Sequence, residues 1–147
     1  MVMTLEQAMA TFEDNNTSND KKMGLLTFIG HHYEYLRGKE HEEEAIRVAD
    51  KLISYLINEK DEWVRDEILS ALLFIVGGYL PIGYRVNYNP ILNNIDDFST
   101  DELSDILGLL GWSQNQEYRA IIEKYRDIPE LSEDVKDALS DLDYGVK

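Results

Sequence analysis

The chain has 147 residues, a length that suits one domain with a substantial hydrophobic core and is short for two. Hydrophobic residues make up 44% of it and aromatic residues 10%, as in sequences that fold. The absence of cysteine excludes disulfides, thiolate nucleophiles and cysteine-ligated metal sites. We therefore predict a single domain, 1–147, stabilised by packing alone.

The formal net charge is −15, from 29 acidic and 14 basic side chains. This excess of carboxylates argues against nucleic acid as a partner, because phosphate binding requires Lys and Arg. A basic protein is the complementary partner, since opposite potentials accelerate encounter. Solubility is the alternative explanation of the charge.

Neither a secretory signal nor a membrane span is predicted. Residues 1–10 contain Glu6 and lack a basic segment followed by an apolar run, so we expect a cytoplasmic protein. The longest apolar run, 68–80, is interrupted by Ser70 and two glycines and is shorter than the roughly 20 apolar residues of a span. We expect no membrane association.

Helical spacing of apolar residues appears in almost every segment of the chain, and sustained strand-like alternation appears nowhere, which predicts an all-α fold. Thr4 and Gln7 are placed to form the capping box of a first helix that ends near Asp14. The spacing predicts further helices over 20–37, 40–59 and 62–80. The last of these is apolar on nearly every side and should be the most buried.

The segment 77–90 holds three of the nine glycines and two of the three prolines, a composition typical of an extended loop. A short helix is predicted over 91–95, and Ser99 or Thr100 can cap a helix that reaches about 110. Two more helices are predicted over 114–126 and 132–142. Trp63 and Trp112 lie beside helix starts and turns, where we expect them to pack at the rim of the core.

Two segments of the chain resemble each other weakly. Each contains Val, a basic residue and Asp, preceded by acids and followed by a helical apolar stripe; the two triplets are Val64-Arg65-Asp66 and Val135-Lys136-Asp137. This pattern resembles the second helix of a HEAT repeat, in which antiparallel helix pairs stack into a solenoid. The resemblance covers about 40–80 and 99–142, and 77–97 departs from it as an insertion that would interrupt regular stacking. It implies about seven or eight helices in irregular HEAT-like antiparallel pairs that form a short α-solenoid.

Short acidic chains with such helix pairs are similar to bacterial immunity proteins, including those of contact-dependent growth inhibition systems. The resemblance implies a non-enzymatic protein that binds a cognate toxin, often a nuclease domain, and blocks its active site or an essential surface. A second hypothesis from the same helix pairs is a non-catalytic adaptor that holds two proteins together.

The three histidines, His31, His32 and His41, support a third hypothesis, a small metal-assisted enzyme that uses them with nearby carboxylates. The Glu-x-x-His element of di-iron bundles and the His-Glu-x-x-His motif are absent from the sequence. A phosphate loop, a nucleophile elbow and a dinucleotide fingerprint are absent too. We therefore predict no catalytic residue, no cofactor and no metal site.

The segment that follows Gly78 combines tyrosines with acidic residues. Aromatic anchors dominate the energetics of protein interfaces, and charges at the rim steer the approach of a partner. We therefore predict a partner-binding site formed by Tyr79, Tyr84, Tyr88, Asp96, Asp97, Asp101, Glu102 and Asp105. The alternative is that Tyr79 and Tyr84 pack inward over the helix ends.

Overall fold

The computed structural model describes residues 3–144. Within that range the chain forms α-helices and single-turn 3₁₀ helices without a strand, which confirms the predicted all-α class. The eight α-helices are α1 (Leu5–Glu13), α2 (Asn19–Glu34), α3 (Glu42–Asn58), α4 (Glu62–Val76), α5 (Asn89–Asn93), α6 (Thr100–Trp112), α7 (Arg119–Glu123) and α8 (Ser132–Asp143).

The observed helix starts agree with the predicted ones more closely than the observed helix ends do. Thr4 and Gln7 form the predicted capping box of α1, and Ser99 forms a second capping box with Glu102 at the start of α6. The second helix ends three residues earlier than predicted, where Gly78 approaches the carbonyl groups of its last turn. The helix predicted over 114–126 is shortened to α7 and a preceding 3₁₀ turn.

Helices α2, α4, α6 and α8 pack side by side in one layer, each against the next. Helices α2 and α4 run in the same direction. Near their starts the Asn19 Nδ2 donates a hydrogen bond to Asp61 Oδ2 at 3.0 Å. Nearer their ends, a Cβ at Gly30 would lie 3.4 Å from the Cα of Ala71.

The remaining neighbours in this layer are also parallel. Arg65 Nε donates to Glu102 Oε2 at 2.6 Å near the starts of α4 and α6, and Gly77 contacts the Trp112 ring at their ends. The C-terminal ends of α6 and α8 meet where Gln114 Nε2 donates to the Tyr144 carbonyl oxygen at 3.0 Å. All four helices therefore begin at one edge of the layer, the N-terminal edge, and end at the opposite edge, the C-terminal edge.

The other helices lie outside this layer. Helix α3 packs on α4 after a three-residue link, 59–61, so the two form an antiparallel pair. Phe12 of α1 stacks on Tyr55 of α3, with 4.7 Å between ring centroids. Helix α5 also packs on α3, and the Asn87 N–H just before it donates to the Asp50 carboxylate at 3.1 Å.

The segment 77–97 does not interrupt the stack, contrary to the prediction from the HEAT-like pattern. It leaves the end of α4, passes α3 through α5, and returns to the start of α6, which packs directly on α4. The segment thus connects α4 to α6 and contains α5, the short first helix of the pair that α5 forms with α6. The fold is an all-α, short solenoid-like stack of helix pairs.

The close approach of α6 and α8 yields a test of this packing. A Cβ on Gly111 would lie 2.9 Å from both the Cα and the carbonyl oxygen of Ala138, so Gly111→Ala forces backbone apart. We expect it to lower the free energy of unfolding by about 1–3 kcal/mol. Gly24 is the control, because it lies exposed inside α2 and a Cβ there would have no heavy atom within 4 Å. Gly24→Ala should raise stability by about 0.5–1 kcal/mol; equal shifts of the two urea midpoints would contradict this packing.

Candidate partner-binding surfaces

The tyrosines and acids predicted to form one site lie at opposite edges of the parallel layer. Tyr79 follows the end of α4, whereas Asp101 lies in the first turn of α6. Because α4 and α6 are parallel, the two residues are separated by most of a helix length, roughly 18 Å for twelve residues. The predicted site is therefore divided between two surfaces.

The three tyrosines have different environments. Tyr88 is only 1% exposed, and its hydroxyl donates to the Gly83 carbonyl oxygen at 2.9 Å. The prediction that Tyr88 contacts a partner is therefore corrected, because its ring belongs to the core. Tyr79 and Tyr84 are exposed, as the binding hypothesis requires, and do not pack inward.

The N-terminal edge of the layer carries a groove of about 650 Å³ between α4 and α6. We call it the acidic groove and define it by Trp63, Asp66, Asp97, Asp101 and Glu102; the cations Lys60 and Arg65 also line it. Three of these, Asp97, Asp101 and Glu102, belong to the predicted site. Trp63 is 66% exposed, so it is not the rim-packed residue that its position predicted.

Most of the negative charge in the acidic groove is left unpaired. Arg65 neutralises Glu102 and also donates to the carbonyl oxygens of Leu56 and Glu59. Burial opposes ionisation of Glu102, but the bonds from Arg65 and Ser99 outweigh it and lower the pKa of its carboxyl. Among residues 3–144, no ion pair involves the other groove acids, Asp66, Asp97 and Asp101.

Asp105 lies one turn further along α6, beside the acidic groove. Burial is the larger cause, and the negative charges of Asp66, Asp134, Asp101 and Glu102 are the smaller ones, of the rise in the pKa of its carboxyl from 3.8 to about 6. The acids of three parallel helices thus face one another where the helices begin. Asp96 lies apart from them, exposed on a 3₁₀ turn and close enough to Tyr125 to raise the pKa of its hydroxyl, after the larger effect of burial.

The C-terminal edge of the layer carries exposed aromatic rings. Tyr79 lies there with four residues that were not predicted as site residues, and we call the set the aromatic edge: Tyr35, Phe74, Tyr79, Trp112 and Tyr144. Tyr84 is exposed outside these grooves, on a 3₁₀ turn whose Arg85 pairs with Glu42 and Glu43 at the start of α3.

Sequence patterns contained a signal for the unpredicted residues. Trp63 and Phe74 fall outside the buried stripe of α4, which consists of Val64, Ile68, Leu69, Ala71, Leu72, Ile75 and Val76. An aromatic residue also recurs at or just after the end of each helix in the layer. The position of Trp63 outside the apolar stripe of α4 could have placed it at the surface. Neither the stripe nor the recurrence of aromatic residues at helix ends could show which rings share an edge.

The histidines occupy two places. His31 and His32 lie in the last turn of α2, where His31 Nδ1 is 3.0 Å from Glu34 Oε2, and His41 lies in the 3₁₀ turn before α3. Within residues 3–144, no group of three or more His, Asp or Glu side chains is arranged to hold a metal ion. No helix of the described part of the chain has the length and hydrophobicity needed to cross a bilayer.

The burial of Asp105 among other carboxylates predicts a pH-dependent stability. Because its folded pKa of about 6 exceeds the ordinary 3.8, the folded state takes up a proton there that the unfolded chain does not bind in this interval. Ionised Asp105 therefore destabilises the fold above pH 6. This unfavourable contribution disappears as the pH falls from about 6 to 3.8.

Asp105→Asn should accordingly raise the free energy of unfolding at pH 7.5 by about 1–2 kcal/mol, after allowance for solvent screening. The gain should shrink toward zero as pH approaches 4. Urea unfolding of the variant and of the parent at both pH values measures this, with Asp127→Asn, at an exposed loop position, as the control. A gain that is the same at both pH values would show that Asp105 is not the titrating group.

Comparison with known proteins does not add to the structural picture. No protein-family model, curated protein or solved structure shows significant similarity to the chain.

Proposed function

We propose that this chain is an immunity-type inhibitor that binds a basic toxin protein through the acidic groove. The observation that carries the proposal is the exposed Trp63 ring beside the unpaired carboxylates of Asp66, Asp97 and Asp101. Carboxylates outnumber the two cations of this groove, Lys60 and Arg65, and Arg65 is already paired with Glu102. An exposed tryptophan with a net negative surround has the composition of an interface anchor with a steering rim. The resemblance to immunity proteins supports a toxin, often a nuclease domain, as the partner.

The local structure favours Trp63 as an anchor. Asp61 caps α4 by accepting hydrogen bonds from the Trp63 and Val64 N–H groups, both at 3.0 Å. The backbone that carries the indole is therefore held in place before any partner arrives. Binding then costs the conformational entropy of the Trp63 side chain, and the start of the helix does not have to rearrange.

The net charge supports a basic partner. The acids of the groove belong to a chain with a formal charge of −15, so the long-range field and the local field have the same sign. A positively charged protein is attracted by both, which raises its association rate at low ionic strength. Toxin domains that act on nucleic acids are basic for the same physical reason, because they must bind phosphates.

Co-expression with the product of the gene directly upstream tests the proposed function. An immunity protein should restore growth of cells that produce a toxic neighbour, and the two proteins should co-purify as a stable complex. A harmless neighbour that never co-purifies would count against the proposal.

Substitutions in the acidic groove test where the toxin binds. Trp63→Ala should weaken the complex by about 30-fold or more, because a truncated anchor costs on the order of 2 kcal/mol. Asp66→Asn and Asp101→Asn should mainly lower the association rate and flatten its salt dependence, leaving the dissociation rate nearly unchanged. Surface plasmon resonance at several salt concentrations separates these effects.

Tyr84→Ala and Glu117→Gln are the matched controls for these substitutions, since both residues are exposed and lie outside the acidic groove. They should leave both rate constants close to those of the parent. If Tyr84→Ala weakened the complex as much as Trp63→Ala, the toxin would bind elsewhere and the assignment of the groove would be wrong.

A non-catalytic adaptor is the second candidate, and one observation favours it. The aromatic edge lies at the opposite end of the parallel helices from the acidic groove, so two partners could bind without excluding each other. An adaptor should form a ternary complex, whereas an inhibitor needs only one partner. Mass measurement of complexes recovered from cells distinguishes the two by composition.

A further inference from the structure

The aromatic edge repeats one feature across the layer. An exposed ring lies at or just beyond the C-terminal end of each parallel helix: Tyr35 after α2, Tyr79 after α4, Trp112 at the end of α6 and Tyr144 after α8. Their exposed fractions range from 37% for Trp112 to 77% for Tyr144. Rings of this size are usually buried in a monomer, so a row of them at one edge marks an interaction surface.

The rings border a continuous depression. Tyr35, Phe74, Tyr79 and Trp112 line a groove of about 630 Å³, and Trp112 also lines an adjoining groove of about 340 Å³ that extends to Tyr144. Both grooves share Gly77 and Gly78, which add no side chain to their floor. Neighbouring helices pack about 8–10 Å apart, so four of them span roughly 25–30 Å. An extended segment of about nine residues covers that length.

The electrostatics of the aromatic edge favour a cation. No Lys, Arg or His lines either groove, and the last turns of α4, α6 and α8 contain no basic residue to offset the negative ends of their helix dipoles. Helix α2 differs, because His31 and His32 lie in its last turn. Carboxylates lie at both ends of the depression, Glu34 in the first groove and Asp141 in the second. The negative charge of Glu34 raises the pKa of the Tyr35 hydroxyl.

One ring of this edge already binds a guanidinium within the chain. The Cζ atom of Arg37 lies 4.1 Å from the centroid of the Tyr79 ring, within cation–π distance. A planar guanidinium stacks on an aromatic face in a way that a compact lysine ammonium does not. A row of rings with a carboxylate at each end therefore suits arginine better than lysine.

We propose that the aromatic edge is a second docking surface, which binds an extended arginine-rich segment of a partner protein across the ends of α2, α4, α6 and α8. Arginine side chains stack on the exposed rings and their guanidinium groups face Glu34, Asp141 and the helix C-termini. This surface is distinct from the acidic groove, and the proposal does not depend on the partner being a toxin.

The chain has two tryptophans, one at each surface, which permits a direct test. In Trp63→Phe, Trp112 is the sole tryptophan and its fluorescence reports on the aromatic edge. Nona-arginine should change that fluorescence with an affinity at least 5-fold higher than that of nona-lysine, which carries the same charge. Adding Tyr79→Ala should weaken nona-arginine binding at least 5-fold and nona-lysine binding less.

The reverse reporter is the matched control. In Trp112→Phe, the remaining Trp63 reports on the acidic groove, which offers one exposed ring and not a row of them, so the preference for the arginine peptide over the lysine peptide should be smaller there than at Trp112. Arg37→Gln vacates the face of Tyr79 and should strengthen nona-arginine binding more than nona-lysine binding. Equal affinities of the two peptides at Trp112, or no effect of Tyr79→Ala on arginine binding, would overturn the proposal.

A second copy of the chain is the other possible occupant of the aromatic edge. Sedimentation equilibrium of the parent and of Tyr79→Ala tests this, and a dimer that the substitution dissociates would overturn the arginine proposal. Failure of the toxin co-expression experiment leaves the peptide result unaffected, because no toxin is present in the fluorescence titration. The two proposals can therefore fail separately.

Discussion

The parallel packing of α2, α4, α6 and α8 is the constraint on which the rest of the structure depends. Each of these helices meets its neighbour through contacts between corresponding positions, such as Arg65 with Glu102 near the starts of α4 and α6. Parallel alignment places every N-terminus of the layer at one edge and every C-terminus at the other. Helix dipoles that would cancel in an antiparallel bundle therefore add, and the two edges differ in electrostatic character.

The acids at the N-terminal edge have a structural and a functional consequence. Carboxylates in the first turn stabilise a helix through its dipole, which explains Glu62, Asp101, Glu102, Glu133 and Asp134 without reference to a partner. Bringing three such starts together makes the carboxylates repel one another, and this repulsion adds to the larger effect of burial in raising the pKa of Asp105. A positively charged partner would relieve that repulsion, so the local stabilisation of separate helices creates a surface suited to a basic protein.

The two exposed surfaces differ in chemistry because they lie at opposite helix ends. The acidic groove presents one large ring among carboxylates, whereas the aromatic edge presents several rings with few charges between them. A folded basic domain suits the first, through steering and a single anchor. An extended chain suits the second, since the rings follow one another at the spacing of packed helices.

Local sequence determined the helices, their caps and the overall charge, because helix spacing and capping depend on residues within about four positions of one another. Thr4 with Gln7 and Ser99 with Glu102 were identifiable for that reason. Only the tertiary structure decided which of these residues share a surface. Tyr88 lies in the core, and Trp63 joins Asp97 and Asp101 while Tyr79 lies at the far edge. These placements follow from the direction in which distant helices pack, and that direction is set by complementary surfaces that no single segment encodes.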